Sequence, residues 1–518
     1  MVDAETGQED WGFIAYEHLD QVQRLYENSP SIRYSNTDAS VSSDVQDELK
    51  DYFMDGVTGS YVTYTSSGAV ASAYLYPTMR RGGNWIYALD VSPAAGGEPP
   101  SNPTPLWKYE LTGQSWSKPV VGRVNGYSNP VLLVGGGYDS CLDPAAGATA
   151  VLYSDLCSTG VTGTQIVVLD ALTGAELRVF ELNDPSCAGA GSCQSDGAPV
   201  IADIAPVDLD TATVPIWDFA YAVDAKGGVY RLNFASITGG AIVPATLTAG
   251  WTVDRIAEVS PAGSTKLRFF NRPSVSAFLD ASGNKHVFVI TGAGDRERPM
   301  ELDYPYSDSG VGVDYAIYAV LDRLYDWDHD GDGAVSAPLG RGAVTMPDSP
   351  GDAQCAPSTT LPCSGFLNVT SALNAATPIT PAGDIYQYHG WFFELPGRGE
   401  QVPNPALVKR GNVVFNTYQP GGQAGQCASY GQAKGYNIPL FEPDQAFDSS
   451  FLVSGIIPPP PTSETVCIDD QCYDVCFYCG GGSGTGVFKP GNNYTSQFIG
   501  LGGGNIQRGY QVKAGPDD

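Results

Sequence analysis

Several segments of this chain repeat one idea: a turn, an apolar strand, then an aspartate. Trp85-Ile-Tyr-Ala-Leu-Asp-Val91 is one, and Gln165-Ile-Val-Val-Leu-Asp-Ala-Leu-Thr-Gly174 is another. Phe219-Ala-Tyr-Ala-Val-Asp224 leads into Gly228-Val-Tyr-Arg-Leu232. His286-Val-Phe-Val-Ile-Thr291, Tyr315-Ala-Ile-Tyr-Ala-Val-Leu321 and Asn412-Val-Val-Phe-Asn-Thr417 continue the series. Strands that recur this way predict an all-β chain built as a β-propeller. Each blade is a small sheet that cannot bury both faces alone, so blades must stack. At roughly 40–60 residues per blade plus insertions, six to eight blades fit, and seven modified blades are expected.

The 62 Gly and 38 Pro among 518 residues supply the many turns such a fold needs. One early helix is expected from about Glu17 to Tyr26, with Leu19, Val22 and Leu25 at helical spacing. Long insertions interrupt the strands at Ser140 to Thr164, Asn183 to Gly197 and Ala337 to Pro381. Pro458-Pro-Pro-Pro461 is a stiff break. The expected division is a helical or extended segment over 1–50, a propeller over 51–457, and a Pro/Gly/Cys-rich tail over 458–518 that can complete the last blade.

A second feature points to chemistry. Asp326-Trp-Asp-His-Asp-Gly-Asp-Gly-Ala-Val-Ser336 alternates carboxylates with glycines along one loop. Hard oxygen ligands at this spacing suit Ca²⁺. Asp328, Asp330 and Asp332 take loop positions 1, 3 and 5, and Gly333 makes the sharp turn at position 6. The Ala334 carbonyl is then the position-7 ligand, Ser336 holds a water at position 9, and Val335 anchors the loop in a core. Position 12 is Leu339 rather than a bidentate Glu, and no helical pattern flanks the loop. This is a calcium loop without an EF-hand around it. One ligand must come from elsewhere, and Asp326 is the nearest spare carboxylate. The alternative is an acidic solvated turn, which leaves mutually repelling carboxylates without a cation.

Charge narrows the partners. With 27 basic and 57 acidic residues the formal net charge is −30. Such a surface repels phosphate backbones and anionic membranes, so nucleic-acid binding is not expected; the apolar runs predict no membrane span. No apolar run reaches transmembrane length and no signal peptide stands at Met1. The start reads as that of a processed fragment or a recombinant product.

Eleven cysteines indicate an oxidising compartment and an extracellular or cell-surface location. Cys141 with Cys157, Cys187 with Cys193, and Cys355 with Cys363 each fit a local disulfide. Cys467, Cys472, Cys476 and Cys479 read either as disulfides, which the context favours, or as a Zn²⁺ set. Cys427 is left over and can pair within that cluster.

Further pieces, taken in order, resemble one family. They are Asp10-Trp-Gly-Phe-Ile-Ala-Tyr16, Tyr52-Phe-Met-Asp-Gly56, Arg81-Gly-Gly, Trp116-Ser-Lys-Pro-Val120 and Val134-Gly-Gly-Gly-Tyr-Asp139. Val207-Asp-Leu-Asp210, Gly292-Ala-Gly-Asp-Arg296, Gly390-Trp-Phe-Phe-Glu-Leu-Pro396, Gly399-Glu400 and Phe415-Asn-Thr-Tyr-Gln-Pro420 complete the set. From about Asp10 to Pro439 the chain is similar to the C-terminal β-propeller domain of PilY-type type IV pilus tip adhesins and assembly factors. The resemblance implies a modified seven-bladed propeller at a fibre tip, with a calcium loop that bears on pilus extension and retraction. Its implied partners are pilin or minor pilins and a host or abiotic surface receptor. The family's N-terminal adhesion domain has no counterpart here, so a fragment or a lone propeller is expected. No Arg-Gly-Asp tripeptide occurs, so the resemblance does not extend to integrin binding.

Two other function classes compete. Asp170 with Thr173-Gly174 also resembles a blade motif of quinoprotein dehydrogenases, calcium-dependent propellers that carry a quinone. Against an enzyme, the tryptophan-docking pattern is not repeated and no adjacent cysteines occur. The third class is an extracellular structural or filament-forming propeller. His286 reads as a structural histidine and His329 as solvent-facing. Asp295-Arg-Glu-Arg298 reads as an ion-pair network, and Asp208 with Asp210 as a surface turn rather than a second cation loop. Trp85, Trp107, Trp116, Trp217 and Trp391 are expected between blades; the alternative is an exposed aromatic set on the axial face that binds a glycan.

Overall fold

In a computed structural model the chain is described apart from residues 4–5, 28–31, 34–47, 50, 95–99, 101, 144–156, 158–159, 188–192, 210–214, 239–240, 246–249, 260–267, 280–282, 296–314, 326–343, 346–364, 376, 379–387, 410, 422–430, 446, 448, 455–456, 469–470, 478–484 and 489–518. The described residues form two compact units, Met1–Arg255 and Ile256–Asp518.

In the first unit a short parallel pair, β1 (Ile32–Arg33) and β2 (Glu48–Leu49), precedes three antiparallel meanders. The first sheet is β3 (Gly59–Tyr64), β4 (Val70–Tyr76), β5 (Trp85–Asp90) and β6 (Thr104–Glu110). The second is β7 (Val120–Gly122), β8 (Val131–Gly135), β9 (Gln165–Asp170) and β10 (Glu176–Glu181). The third is β11 (Ala205–Val207), β12 (Phe219–Val223), β13 (Gly228–Asn233) and β16 (Thr252–Glu258), with the hairpin β14 (Ala235–Thr238) and β15 (Ala241–Pro244) between its last two strands. The division between the units falls within β16.

The second unit continues the pattern. Its first sheet is β17 (Ser274–Leu279), β18 (Lys285–Gly292), β19 (Ala316–Asp322) and β22 (Gly390–Glu394). The next is β23 (Leu407–Lys409), β24 (Asn412–Gln419), β25 (Gln432–Pro439) and β26 (Ser449–Ser454). β27 (Thr462–Ile468), β28 (Gln471–Phe477) and β29 (Thr485–Phe488) form a three-stranded sheet from the tail. Two short strands from the long insertion add in parallel: β20 (Val344–Thr345) beside Ala257–Glu258, and β21 (Leu367–Asn368) beside β22. The chain is thus all-β, with sheets following one another as propeller blades do. Where seven blades are expected, the described residues supply six such sheets.

The apolar runs have a physical reason. β8 is buried along its whole length because both of its faces pack. Leu132 and Val134 point to the first sheet, where they meet Tyr76, Ile86 and Ala88. Val131 and Leu133 point the other way, to Ala220, Ala222, Leu232 and Trp251 of the third sheet and its flank. β9 divides in the same manner, Val167 and Leu169 on one side and Ile166 and Val168 on the other. Successive side chains of a strand alternate faces, so a strand between two stacked sheets needs apolar residues at every position.

The outer face of the first sheet is closed by the N-terminal segment. Phe13 meets Tyr87 edge-on with ring centroids 5.2 Å apart. Ala15 is buried beside Met79, Met54 and Trp85. Glu17 accepts the Tyr87 hydroxyl and the Lys108 ammonium. The early helix forms as a 3₁₀ turn, Tyr16–His18, followed by α1 (Leu19–Glu27). Its Leu19 and Leu25 are half exposed, so helical spacing there does not mark a buried stripe.

Candidate functional site

The Asp-rich loop Asp326 to Ser336 lies outside the described residues, and so do all its expected ligands: Asp326, Asp328, Asp330, Asp332, Ala334 and Ser336. The residues that launch and receive the insertion are described.

The aspartates that end the apolar runs share one task. Asp170 closes β9: Oδ1 accepts the amides of Leu172 and Thr173, both at 2.9 Å. Its Oδ2 accepts the Tyr127 hydroxyl at 2.5 Å and the Asn129 amide at 2.8 Å. Burial opposes ionisation here, but these donors outweigh it and hold the carboxyl below the usual range. Asp90 ends β5 and accepts the Ser92 amide at 2.8 Å. Asp224, after β12, accepts four donors: the amides of Ala198, Lys226 and Gly228, and the Tyr230 hydroxyl at 2.8 Å. Its complete burial pushes that carboxyl up despite them. Each aspartate satisfies amides of a tight turn that the sheet leaves unpaired.

Asp322 ends β19 in the corresponding place, the third strand of its sheet, and is fully buried. The second sheet closes this connection with the tight turn Asp170–Gly174. Here the Asp-rich loop follows instead. The root of the insertion is firmly tied. The Leu321 amide donates to the His389 carbonyl at 2.8 Å, and the His389 amide to the Gly365 carbonyl at 3.0 Å. Fully buried Arg323 donates through Nη2 to His389 Nδ1 at 3.2 Å. Desolvation lowers the Arg323 guanidinium to about 10, with Asp322 opposing the shift. Desolvation, and then the Arg323 charge, lowers His389 to about 3, so its imidazole is neutral and can accept. The outgoing and returning ends of the insertion therefore stand side by side on a rigid base.

The other expected residues divide as follows. Cys141–Cys157 and Cys187–Cys193 are disulfides; Cys355, Cys363, Cys427 and Cys479 lie outside the described residues. Cys467 stands opposite Cys472 in the register of the β27–β28 hairpin. Among the described residues no three His, Cys, Asp or Glu side chains gather to hold a metal. Asp208 accepts the Ile216 amide at 3.2 Å, a turn contact, while Asp210 lies outside the described residues. Asp295 is buried, its amide bonded to Gln401 Oε1 at 2.7 Å, and Arg296 to Arg298 lie outside. His286 is fully buried between Phe278 and Tyr325. His329 lies outside.

Three of the five tryptophans pack between sheets as expected. Trp107 of β6 lies on Gly174, Trp217 on Gly122, and Trp391 donates to the Leu440 carbonyl at 3.1 Å. Trp85 instead faces the N-terminal segment. Trp116 lies half-buried in a cluster with Arg80, Arg81 and Tyr138; Arg81, Trp116 and Tyr138 belong to separate pieces of the family resemblance, which does not group them. The available signal was an Arg-Arg pair in a chain with twice as many acidic as basic residues.

Glu400, one of the residues carrying the family resemblance, is fully buried. It accepts Thr417 Oγ1 at 2.5 Å, Tyr436 Oη and Lys434 Nζ at 2.8 Å each, and the Gly397 amide at 3.0 Å. The polyproline run docks on the same unit. Asn404 and Asn416, both buried, donate their amides to the carbonyls of Pro458 and Pro459 at 2.6 and 3.0 Å.

No family model matches this chain and no curated protein does. Among solved structures, the PilY1 C-terminal domain of Pseudomonas aeruginosa matches over 95% of this chain and 90% of its own, at 15% identity and a TM-score of 0.53. The fold is that of the PilY1 C-terminal domain. BamB from Moraxella catarrhalis aligns over 87% of this chain and 76% of its own, at 10% identity and a TM-score of 0.34. A quinohemoprotein alcohol dehydrogenase from Pseudomonas putida HK5 aligns over 94% and 60%, at 12% identity and a TM-score of 0.35.

Proposed function

We propose that this chain is a non-enzymatic, calcium-binding protein of a type IV pilus tip that supports pilus biogenesis and surface adhesion. The observation that carries this reading is the match to the PilY1 C-terminal domain over nearly the whole chain. The Asp-rich loop sequence, which begins four residues after the end of β19, adds to it. Asp328, Asp330 and Asp332 would ligate Ca²⁺ with the Ala334 carbonyl, Ser336 through a water, and Asp326 as the spare carboxylate. Bound Ca²⁺ supplies charge neutralisation and loop order on a strongly acidic surface. The tied root at Arg323 and His389 gives an ordered loop a fixed base from which to present itself. A pilin, a minor pilin or a surface receptor then reads that ordered face at the cell exterior. Two disulfides suit that compartment.

Immunogold labelling of piliated cells tests the placement. Label concentrated at fibre ends supports it, and label confined to the cell interior defeats it. Trp107 seated on the Asp170–Gly174 turn favours one second reading, a quinoprotein-type dehydrogenase. A quinone-like absorption band in the purified protein would support that reading instead.

A further inference from the structure

Two cysteines hold opposed positions in the last sheet. β27 and β28 pair antiparallel, with Cys467 opposite Cys472 in the register and Ile468 opposite Gln471 one step nearer the turn. Only two residues of sequence, Asp469 and Asp470, separate Ile468 from Gln471. A connection that short closes on a hydrogen-bonded pair, and bonded and non-bonded pairs alternate along an antiparallel ladder. Cys467 and Cys472 are therefore the next, non-hydrogen-bonded pair. Opposed Cα atoms at such a pair are about 4.5 Å apart, inside the range of roughly 4.4–6.8 Å that a disulfide needs.

The register also sorts the hairpin into two faces, because successive residues of a strand alternate. Val466, Ile468, Tyr473, Val475 and Phe477 share one face, which is the apolar one. Ser463, Thr465, Cys467, Cys472, Asp474 and Cys476 share the other. A reduced cysteine behaves as a small hydrophobe and belongs with buried apolar groups. Cys467 and Cys472 stand instead in a polar row, which suits a bridged pair rather than two free thiols.

The same placement decides between the two readings of the four-cysteine cluster. Cys472 and Cys476 lie four residues apart on one strand, so their Cα atoms are about 13 Å apart. A disulfide, with its sulfurs about 2 Å apart, allows Cα separations up to about 7 Å. Two thiolates on one Zn²⁺ are at most about 4.6 Å apart, which extends that reach to about 10 Å. Cys472 and Cys476 therefore cannot share one tetrahedral ion, and the four thiols do not make a zinc site. Nor does Cys476 have a cysteine across from it in this sheet, since Ser463 and Gly486 hold those positions.

We propose that Cys467 and Cys472 form a cross-strand disulfide at the tip of the β27–β28 hairpin. Its formation joins the two sulfurs. Two electrons and two protons pass from the thiols to the disulfide of a thiol–disulfide oxidoreductase, which leaves as a dithiol. The hairpin is then held at both ends. At its base, Thr462 follows the polyproline run directly, and Asn404 and Asn416 bind the carbonyls of Pro458 and Pro459. At its tip, the bridge fixes the register against a one-residue slip, which would exchange the apolar and polar faces. This bridge is separate from the Asp-rich loop, and neither reading depends on the other.

The test is disulfide mapping of the full chain, made under oxidising conditions and alkylated in denaturant before any reduction. Cleavage at Asp469 and Asp470 with an aspartate-specific protease separates the two cysteines. The expected result is one linked pair of peptides carrying Cys467 and Cys472, parted only on reduction, with no zinc by elemental analysis. Cys467→Ser is expected to turn Cys472 from unlabelled to fully labelled, and Cys476→Ser to leave the linked pair intact. Should Cys467→Ser fail to accumulate, the map of the unaltered chain decides alone. Labelled thiols at both positions in the unaltered chain, linkage of either to Cys427, Cys476 or Cys479, or one zinc ion per chain each overturns the proposal.

Discussion

Trp107 donates its indole N–H to the Ala171 carbonyl at 3.1 Å, joining the outermost strand of the first sheet to the tight turn of the second. Tyr76 donates its hydroxyl to the same carbonyl at 3.0 Å. Gly174 follows at φ 72°, and a Cβ added there would come within 2.7 Å of the Trp107 ring. One turn therefore serves as the socket for the neighbouring sheet, and glycine is required for both its backbone and its lack of a side chain. Trp107→Ala should destabilise the first unit by about 2–4 kcal/mol. Gly174→Ala should cost roughly 1–3 kcal/mol, by strain and by displacement of the ring. Thermal unfolding of both variants checks this, and unchanged midpoints would remove the socket from the account.

Asp170 makes the same turn sensitive to acid. Its carboxyl is held below the usual range, because the donors from Tyr127, Asn129, Thr173 and Leu172 outweigh the burial that opposes ionisation. The stabilisation is full above the unfolded value of about 3.9 and is lost as the pH falls through the lower folded value. Asp170→Asn keeps the shape and removes the charge. It should cost about 1–2 kcal/mol at pH 7, and the difference from the parent should shrink below pH 4. Melting curves across that range measure it, and a gap that widens in acid would contradict the assignment.

Glu400 and Lys434 form a partly buried pair at 2.8 Å, with Glu400 wholly enclosed. Lys434→Met leaves an uncompensated buried carboxylate and should destabilise the second unit by roughly 3–5 kcal/mol. Converting both, Glu400→Leu with Lys434→Met, should cost less than the sum of the two single changes. Additive losses in a double-mutant cycle would show that the pair does not act as one.

Much of this fold was readable from residues. Trp85–Asp90, Gln165–Asp170 and Phe219–Val223 are strands where the apolar runs stand, because stacked sheets demand apolar residues at every position. The aspartates after them were visible too, though only the structure shows that they satisfy turn amides. The local pairs Cys141–Cys157 and Cys187–Cys193 followed from spacing alone. The parallel additions β20 and β21 were not readable, since two-residue strands carry no periodicity. Nor was the Arg80–Trp116 cluster, whose members are brought together only by the return of four separate connections. Trp85 was misplaced between blades because its face is closed by the chain's own N-terminal segment. Leu19 and Leu25 have helical spacing but, among the described residues, no surface that covers them.

The Asp-rich loop is expected to bind one Ca²⁺, and Mg²⁺ should compete poorly, since it favours a smaller and more rigid octahedron. Without a carboxylate at position 12, the affinity should be modest, in the micromolar range or weaker expected of extracellular sites. Asp328→Ala and Asp332→Ala should each abolish or sharply weaken binding in calorimetry. Intact binding in both variants would end the ligand assignment.

Calcium at this loop is proposed to govern display at the cell surface. Asp330→Ala tests it most directly, because Asp330 belongs to none of the strands that carry the described cores. Cells carrying that variant should make a folded protein that no longer binds Ca²⁺, and their surface piliation and adhesion should change. Normal piliation and adhesion, with calcium binding demonstrably lost, would contradict the claim and leave the loop as a structural staple.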